Sequence, residues 1–232
     1  MDEDGITQAA EYMPLFPIIG AAIGFVNGAL VWALQPFLPS LVVGMLGLGF
    51  ILLLTGVHHT DGLLDFGDAV MYHGSPEDKM RVMHDPQTGA GGLSLGLVVL
   101  STTAFGIAAL DRSIIIQSLV ASEAAAKFSM VFQAWAGKSA RKGLNTPFVE
   151  SMHTRWRVLR LATAFSLLLA TSLLALQVTG IIVTLAAVLV AAIMLMISAK
   201  QFGGTTGDAM GATNELTRLV SLLVIPVTTK WV

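Results

Sequence analysis

Apolar residues recur along this chain in runs long enough to cross a bilayer, and no other sequence feature restricts its fold as tightly. A spanning helix needs about 20 mostly apolar residues. Seven windows qualify: Met13–Leu34, Ser40–Val57, Gly92–Leu110, Ser113–Ala136, Trp156–Gln177, Gly180–Ala199 and the shorter Thr213–Thr229. The fourth is less clean because it contains Glu123 and Lys127. The expected fold is all-α: a polytopic membrane bundle of about seven transmembrane helices, with six and eight as the neighbouring counts. Composition agrees. Of 232 residues, 54% are hydrophobic and 12% charged, whereas an ordinary soluble domain carries about 25% charge. Thirteen Lys/Arg and fifteen Asp/Glu are too few to cover a soluble domain of this size. The absence of cysteine excludes disulfides, thiolate metal sites and cysteine nucleophiles. A net charge of −2 offers no basic face for nucleic acid, so none is expected as a partner.

Orientation follows from the placement of Lys and Arg. With seven crossings, the loops 58–91, 137–155 and 200–212 share one side with the N-terminus. Lys79, Arg81, Lys138, Arg141, Lys142, Arg155, Arg157, Arg160 and Lys200 lie there or at the adjoining helix ends. The other side receives only Arg112 and Lys230, and Lys127 and Arg218 fall inside helices. The chain therefore reads as one transmembrane domain over 1–232, multi-pass in the cell membrane and in contact with membrane lipid. Its long polar loops face the cytoplasm, where chemistry is expected; further copies of the chain are an open alternative partner. Contact with acidic lipid or with substrate phosphate is one role open to the Lys138–Arg160 cluster, but this orientation is sufficient to account for it.

The densest polar segment is His58-His59-Thr60-Asp61-Gly62-Leu63-Leu64-Asp65-Phe66-Gly67-Asp68. At about 100° per residue, Asp61, Asp65 and Asp68 fall within about 60° of arc on one helix face. Three such carboxylates repel one another unless a cation joins them, and oxygen ligands suit Mg²⁺ or Mn²⁺. Gly62 and Gly67 leave room for a bulky substrate to approach the backbone. A second segment, Met83 to Gly92, holds Asp85 before Pro86; Asp85 is a further metal ligand, a general base, or simply the start of a proline turn. The third, Gly203 to Glu215, offers Gly204, Thr206 and Gly207 as a backbone cradle for substrate phosphate. Asp208 and Glu215 share a face there, and a carboxylate inside a membrane is functional by default. Glu123 and Lys127 stand in the favourable i, i+4 order; either they neutralise each other or Lys127 reaches a substrate phosphate. Gly20, Gly24 and Gly28 form a close-packing face. Gly137-Lys138-Ser139 lacks the glycine and the preceding strand of a P-loop.

Taken together, Thr55-Gly56…His59-x-Asp61-Gly62-Leu63-x-Asp65-x-x-Asp68, Met83-x-Asp85-x-x-x-Gly89-x-x-Gly92 and Gly203-Gly204-x-Thr206-Gly207-Asp208-x-x-Gly211-Ala212-x-x-Glu215 resemble the cobalamin synthase family, the adenosylcobinamide-GDP ribazoletransferases. Each motif alone is weak; order, spacing and membrane context together are specific. The resemblance runs from about Glu11 to Leu223 and is weakest over 137–200. This chain lacks an N-terminal apolar stretch with Arg-Leu-Pro, and carries Gln87 and Ala126-Lys127 where relatives commonly carry Arg and Ser-Arg. The resemblance implies Mg²⁺ as cofactor, with adenosylcobinamide-GDP and α-ribazole (or its 5′-phosphate) as substrates and GMP as a product. It implies Asp61 and Asp65 as Mg²⁺ ligands, and Asp68 as a ligand or base. Asp85 and Asp208 follow as metal or base candidates, His59 as a group orienting an aspartate or binding phosphate, and Lys127 as a stabiliser of departing GMP. A CDP-alcohol phosphotransferase would share the aspartate logic but expects Ala-Arg after Asp-Gly-x-x. A transporter using Glu123, Lys127 and Glu215 would want an inverted repeat, and the hydrophobic windows show none.

Overall fold

A computed structural model of the chain describes residues 3–229; Lys230 lies outside them. In chain order the helices are α1 (Glu3–Glu11), α2 (Phe16–Leu34), α3 (Ser40–Leu54), α4 (His58–Met71), α5 (Pro76–Val82), α6 (Ala90–Ala108), α7 (Ile115–Ala136), α8 (Thr146–Met152), α9 (Arg157–Leu176), α10 (Val178–Phe202) and α11 (Gly207–Thr228). Among the described residues the one β-type contact is a single parallel bridge between Ser139 and Thr205. The chain is an all-α membrane bundle, as its apolar periods require.

All seven apolar windows contain a helix, but not all are spans by length and composition. Five qualify (α2 with the 3₁₀ turn before it, α6, α7, α9 and α10), and a sixth only if α3 and α4 count as one span bent by 98°. The second window ends early because Gly56 and Val57 both take φ of 64°. This left-handed corner, strained for a β-branched valine, swings α4 across the end of the bundle. The seventh window falls short because Asn214, Glu215 and Arg218 interrupt it. Those residues are fully buried, since α4, α6, α7 and α10 enclose α11. A helix wrapped by protein need not be apolar to lipid.

α7 and α11 are the inner pair; α2, α9 and α10 pack around α7. The glycine face of α2 does what its spacing predicts. A Cβ on Gly20, Gly24 or Gly28 would run into the α7 backbone at Glu123, Leu119 and Ile116 respectively. Such close approach gains dispersion contacts where no hydrophobic effect separates helix from lipid. Outward, Leu93, Leu97, Leu174, Leu185 and Leu189 are exposed. In water that would be an apolar patch far above the few hundred Å² that soluble monomers tolerate; it is the surface a membrane bundle needs.

Candidate functional site

α4 is the platform of the site. Leu63, Phe66 and Ala69 bury one of its faces, with Phe66 edge-on to Phe202 at 5.8 Å. The opposite face carries the acids. The glycines expected to admit substrate are instead filled by protein. A Cβ on Gly62 would lie 2.9 Å from the Asp208 Cα, and one on Gly67 would lie 3.0 Å from the Gly92 Cα. The substitution of helix for substrate has a consequence: Gly62 lets the first turn of α11 close against α4 and sets Asp208 beside Asp61 and Asp65.

The three polar segments meet in one cleft of about 470 Å³. Asp61 and Asp65 from α4, Asp85 and Thr88 from the loop before α6, and Thr206, Gly207 and Asp208 from the start of α11 all line it. Burial, then the negative charges of Asp61, Asp208 and Asp68, push the Asp65 carboxyl up to about 6. Asp208 is raised as well, chiefly by burial and further by Asp61, against the opposing charges of His84 and Arg141. The acids thus share one unfavourable field, the condition a divalent cation relieves. Among the described residues no three Asp, Glu or His side chains are already gathered at metal-ligand distance. The donor set suits a hard cation, which commonly completes its shell with water and substrate phosphate.

Asp68 departs from the stripe. Its carboxylate accepts the backbone N–H of Gly89 at 2.6 Å and of Gly92 at 2.8 Å, so it caps the otherwise unpaired start of α6. It lines a neighbouring cavity of about 400 Å³ that shares Asp85 and Thr88 with the main cleft. Loss of both bonds in Asp68→Ala is expected to cost about 1–2 kcal/mol, read as a lower melting temperature of the purified protein. An unchanged melting temperature would remove the capping role.

The other expected residues divide in the same way. Asp85 sits at the wall between the two cavities and accepts the Gln87 N–H at 2.9 Å, the geometry of a proline turn. Thr206 caps α11 by accepting the Ala209 N–H at 3.0 Å. Gly207 faces open space, but a Cβ on Gly204 would lie 2.5 Å from the Lys138 carbonyl oxygen, so Gly204 serves a loop contact. His59 is held well below its ordinary value by burial, ahead of the Lys127 and Arg218 charges. Its Nδ1 is buried without a hydrogen-bond partner among the described residues.

The expected Glu123–Lys127 pair is not formed. Both carboxylate oxygens of Glu123 accept from Arg218, whose remaining arm reaches Glu215. The Lys127 ammonium instead donates to the Asn214 side chain at 2.8 Å, and Asn214 donates to Glu215 at 3.2 Å. Two carboxylates and two cations therefore neutralise one another between α7 and α11. The i, i+4 rule applies to isolated helices; here the bidentate fork of Arg218 from the neighbouring helix outcompetes it. Lys127 does not line the cleft.

Arg141, His84 and Asn145 line the cleft and were not singled out from the sequence. In the sequence Arg141 is one charge of a basic cluster for which orientation was a sufficient explanation. The one signal was composition: the loop 137–145 is polar and on the same side as the acids.

The profile of the Cobalamin-5-phosphate synthase family matches residues 1–226. Similar curated proteins include the adenosylcobinamide-GDP ribazoletransferase of Methanococcoides burtonii, 31% identical over 98% of this chain and 86% of its own length. That of Methanosarcina mazei is 32% identical over the same shares. That of the bacterium Syntrophobacter fumaroxidans is 32% identical over 93% of this chain and 86% of its own. No solved structure matches.

Proposed function

Because the chain belongs to the Cobalamin-5-phosphate synthase family, we propose that the acidic cleft joins adenosylcobinamide-GDP to α-ribazole, or its 5′-phosphate, with release of GMP. The protein is a transferase of cobalamin biosynthesis; the identity of the two substrates and the use of Mg²⁺ are our reading. The observation that carries it is the convergence of Asp61, Asp65 and Asp208 on one cleft, with Asp65 driven up by burial and then by the neighbouring charges.

Asp61, Asp65 and Asp208 would hold Mg²⁺. The bound ion would supply charge neutralisation to the diphosphate, which phosphoanhydride substitution requires. In the reaction a ribose hydroxyl of the ribazole forms a bond to the cobinamide-linked phosphorus, and the anhydride bond to GMP breaks. The hydroxyl proton passes to a carboxylate, for which Asp85 is placed at the wall of the cleft. Asp68 positions the loop that carries Asp85 by holding Gly89 and Gly92. Lys127 acts through Asn214 on the α11 helix that presents Asp208. The cleft opens on the cytoplasmic face of the cell membrane in this reading. It is supported by Arg141 at the cleft, by its basic neighbours in sequence, and by the few basic residues, Arg112 and Lys230, that the sequence leaves for the other side.

The test is GMP release by the purified protein from adenosylcobinamide-GDP, α-ribazole and Mg²⁺. Turnover abolished by EDTA and restored by added Mg²⁺ is the expected result. Turnover that persists unchanged in EDTA would refute the metal assignment, and a folded protein that forms no product would refute the substrates.

A further inference from the structure

The cleft is lined by Asp61, Asp65, Asp85 and Asp208 and by one arginine, Arg141, whose loop is tied in place from the far end of the sequence. The loop after α7 is fastened to the loop before α11 by two backbone bonds. Thr205 donates to the Lys138 carbonyl at 2.8 Å, and Ala140 donates to the Thr205 carbonyl at 2.9 Å. The buried Asn145 side chain closes the other end by donating to the Thr205 carbonyl at 3.0 Å and to Ser139 Oγ at 3.3 Å. Thr205 is itself anchored, donating to Gln133 at 3.2 Å. Gly204 is the residue that permits this, since any side chain there would meet the strap.

Between the two fastened ends stands Arg141, which lines the cleft. Its guanidinium makes no ion pair or hydrogen bond among the described residues, although its charge is felt at Asp208. A braced loop that presents an uncommitted arginine to a polar cleft matches the needs of phosphate recognition, in which a planar fork takes two oxygens at once. Lys127, the other cation considered for this role, is buried and committed to Asn214.

The geometry points to Arg141 as a substrate-binding residue that takes the phosphate leaving as the nucleoside monophosphate. This rests on the transferase reading above. The acids and the candidate base are assigned to the cation and the attack, so the phosphorus under attack belongs beside them. The second phosphate of the diphosphate then extends toward the strap. When the new P–O bond forms and the anhydride breaks, the electron pair passes to the oxygen of the departing phosphate, and Arg141 meets that charge. The acceptor hydroxyl and its proton stay on the acidic side.

Arg141 is exposed, so Arg141→Ala and Arg141→Lys are expected to fold, which an unchanged melting temperature checks. Arg141→Ala should weaken GMP, as product inhibitor and in direct Mg²⁺-containing binding titrations, by about tenfold to hundredfold. It should lower kcat and leave the KM for α-ribazole unaltered. Arg141→Lys should recover part of the loss, and Lys142→Ala, at the exposed neighbour, should change nothing. Unaltered GMP binding in Arg141→Ala would overturn the proposal, as would an equal loss in Lys142→Ala or an effect confined to α-ribazole. GMP binding is read without turnover. A wild-type protein that binds GMP through Arg141 but forms no product would therefore sink the substrate reading and leave this site standing.

Discussion

Asp65→Asn is expected to lower GMP release by about 10³-fold or more and to leave the protein at least as stable as before. Both halves follow from one field. Asp65 is surrounded by Asp61, Asp208 and Asp68, and burial and these charges raise its carboxyl to about 6. A carboxyl raised above its unfolded value is stabilised in its neutral form. Above the folded value the ionised group weighs against folding, so at neutral pH an isosteric amide removes repulsion rather than support. The same repulsion is what a divalent cation and a diphosphate would exploit together. A melting temperature equal to or a few degrees above wild type, with turnover gone, is the signature of a group kept for chemistry. A variant that retained turnover would show that the cation, if one binds, sits elsewhere; one that simply unfolded would make Asp65 a structural residue.

Arg218→Met carries the largest expected effect on stability. Arg218 is fully buried and satisfies Glu123 and Glu215 at once. Its removal strands two carboxylates between α7 and α11, with the Lys127 cation too committed to Asn214 to replace it. Breaking a buried pair in this way costs about 3–5 kcal/mol, a large share of the 5–15 kcal/mol that typically holds a domain folded. The measurement is thermal melting in detergent. The informative partner is the triple variant Glu123→Gln, Glu215→Gln, Arg218→Met, which removes the charges together. It should recover much of the loss, because the cost lies in uncompensated charge rather than in lost attraction. If the triple variant were no better than Arg218→Met, the network would matter by shape and packing instead.

The two predictions concern sets of residues that differ in how visible they were. Asp61 and Asp65 announce themselves, because a four-residue spacing places acids on one face of any helix. Asp68, three residues after Asp65, lies on the same face and has a different use: the α6 N-terminus, 21 to 24 residues on, claims its carboxylate through Gly89 and Gly92. Glu123 and Lys127 show the same limit in a stronger form. Their local spacing favours a mutual pair, and Arg218, 95 residues from Glu123, takes Glu123 instead. Gly62 reads as room for a ligand until α11 is seen to fill it. Arg141 reads as an orientation charge until Thr205 is seen to brace its loop.

What the sequence determined alone was everything that depends on period and composition. The helical class, the membrane setting, the close-packing face of α2 and the acidic stripe of α4 are all local. They follow from about 3.6 residues per turn and from the cost of polar groups in hydrocarbon. The order and spacing of three polar segments were enough to place the chain in its family. The tertiary structure decided which polar group meets which. Hydrogen bonds and ion pairs are short-ranged and directional, so the choice among donors falls to whichever helix lies alongside. That choice made α11 an interior helix that can carry Glu215 and Arg218, and turned α4 across the bundle end at Gly56 and Val57. It also brought Arg141 to the same cleft as three aspartates that precede and follow it in the chain.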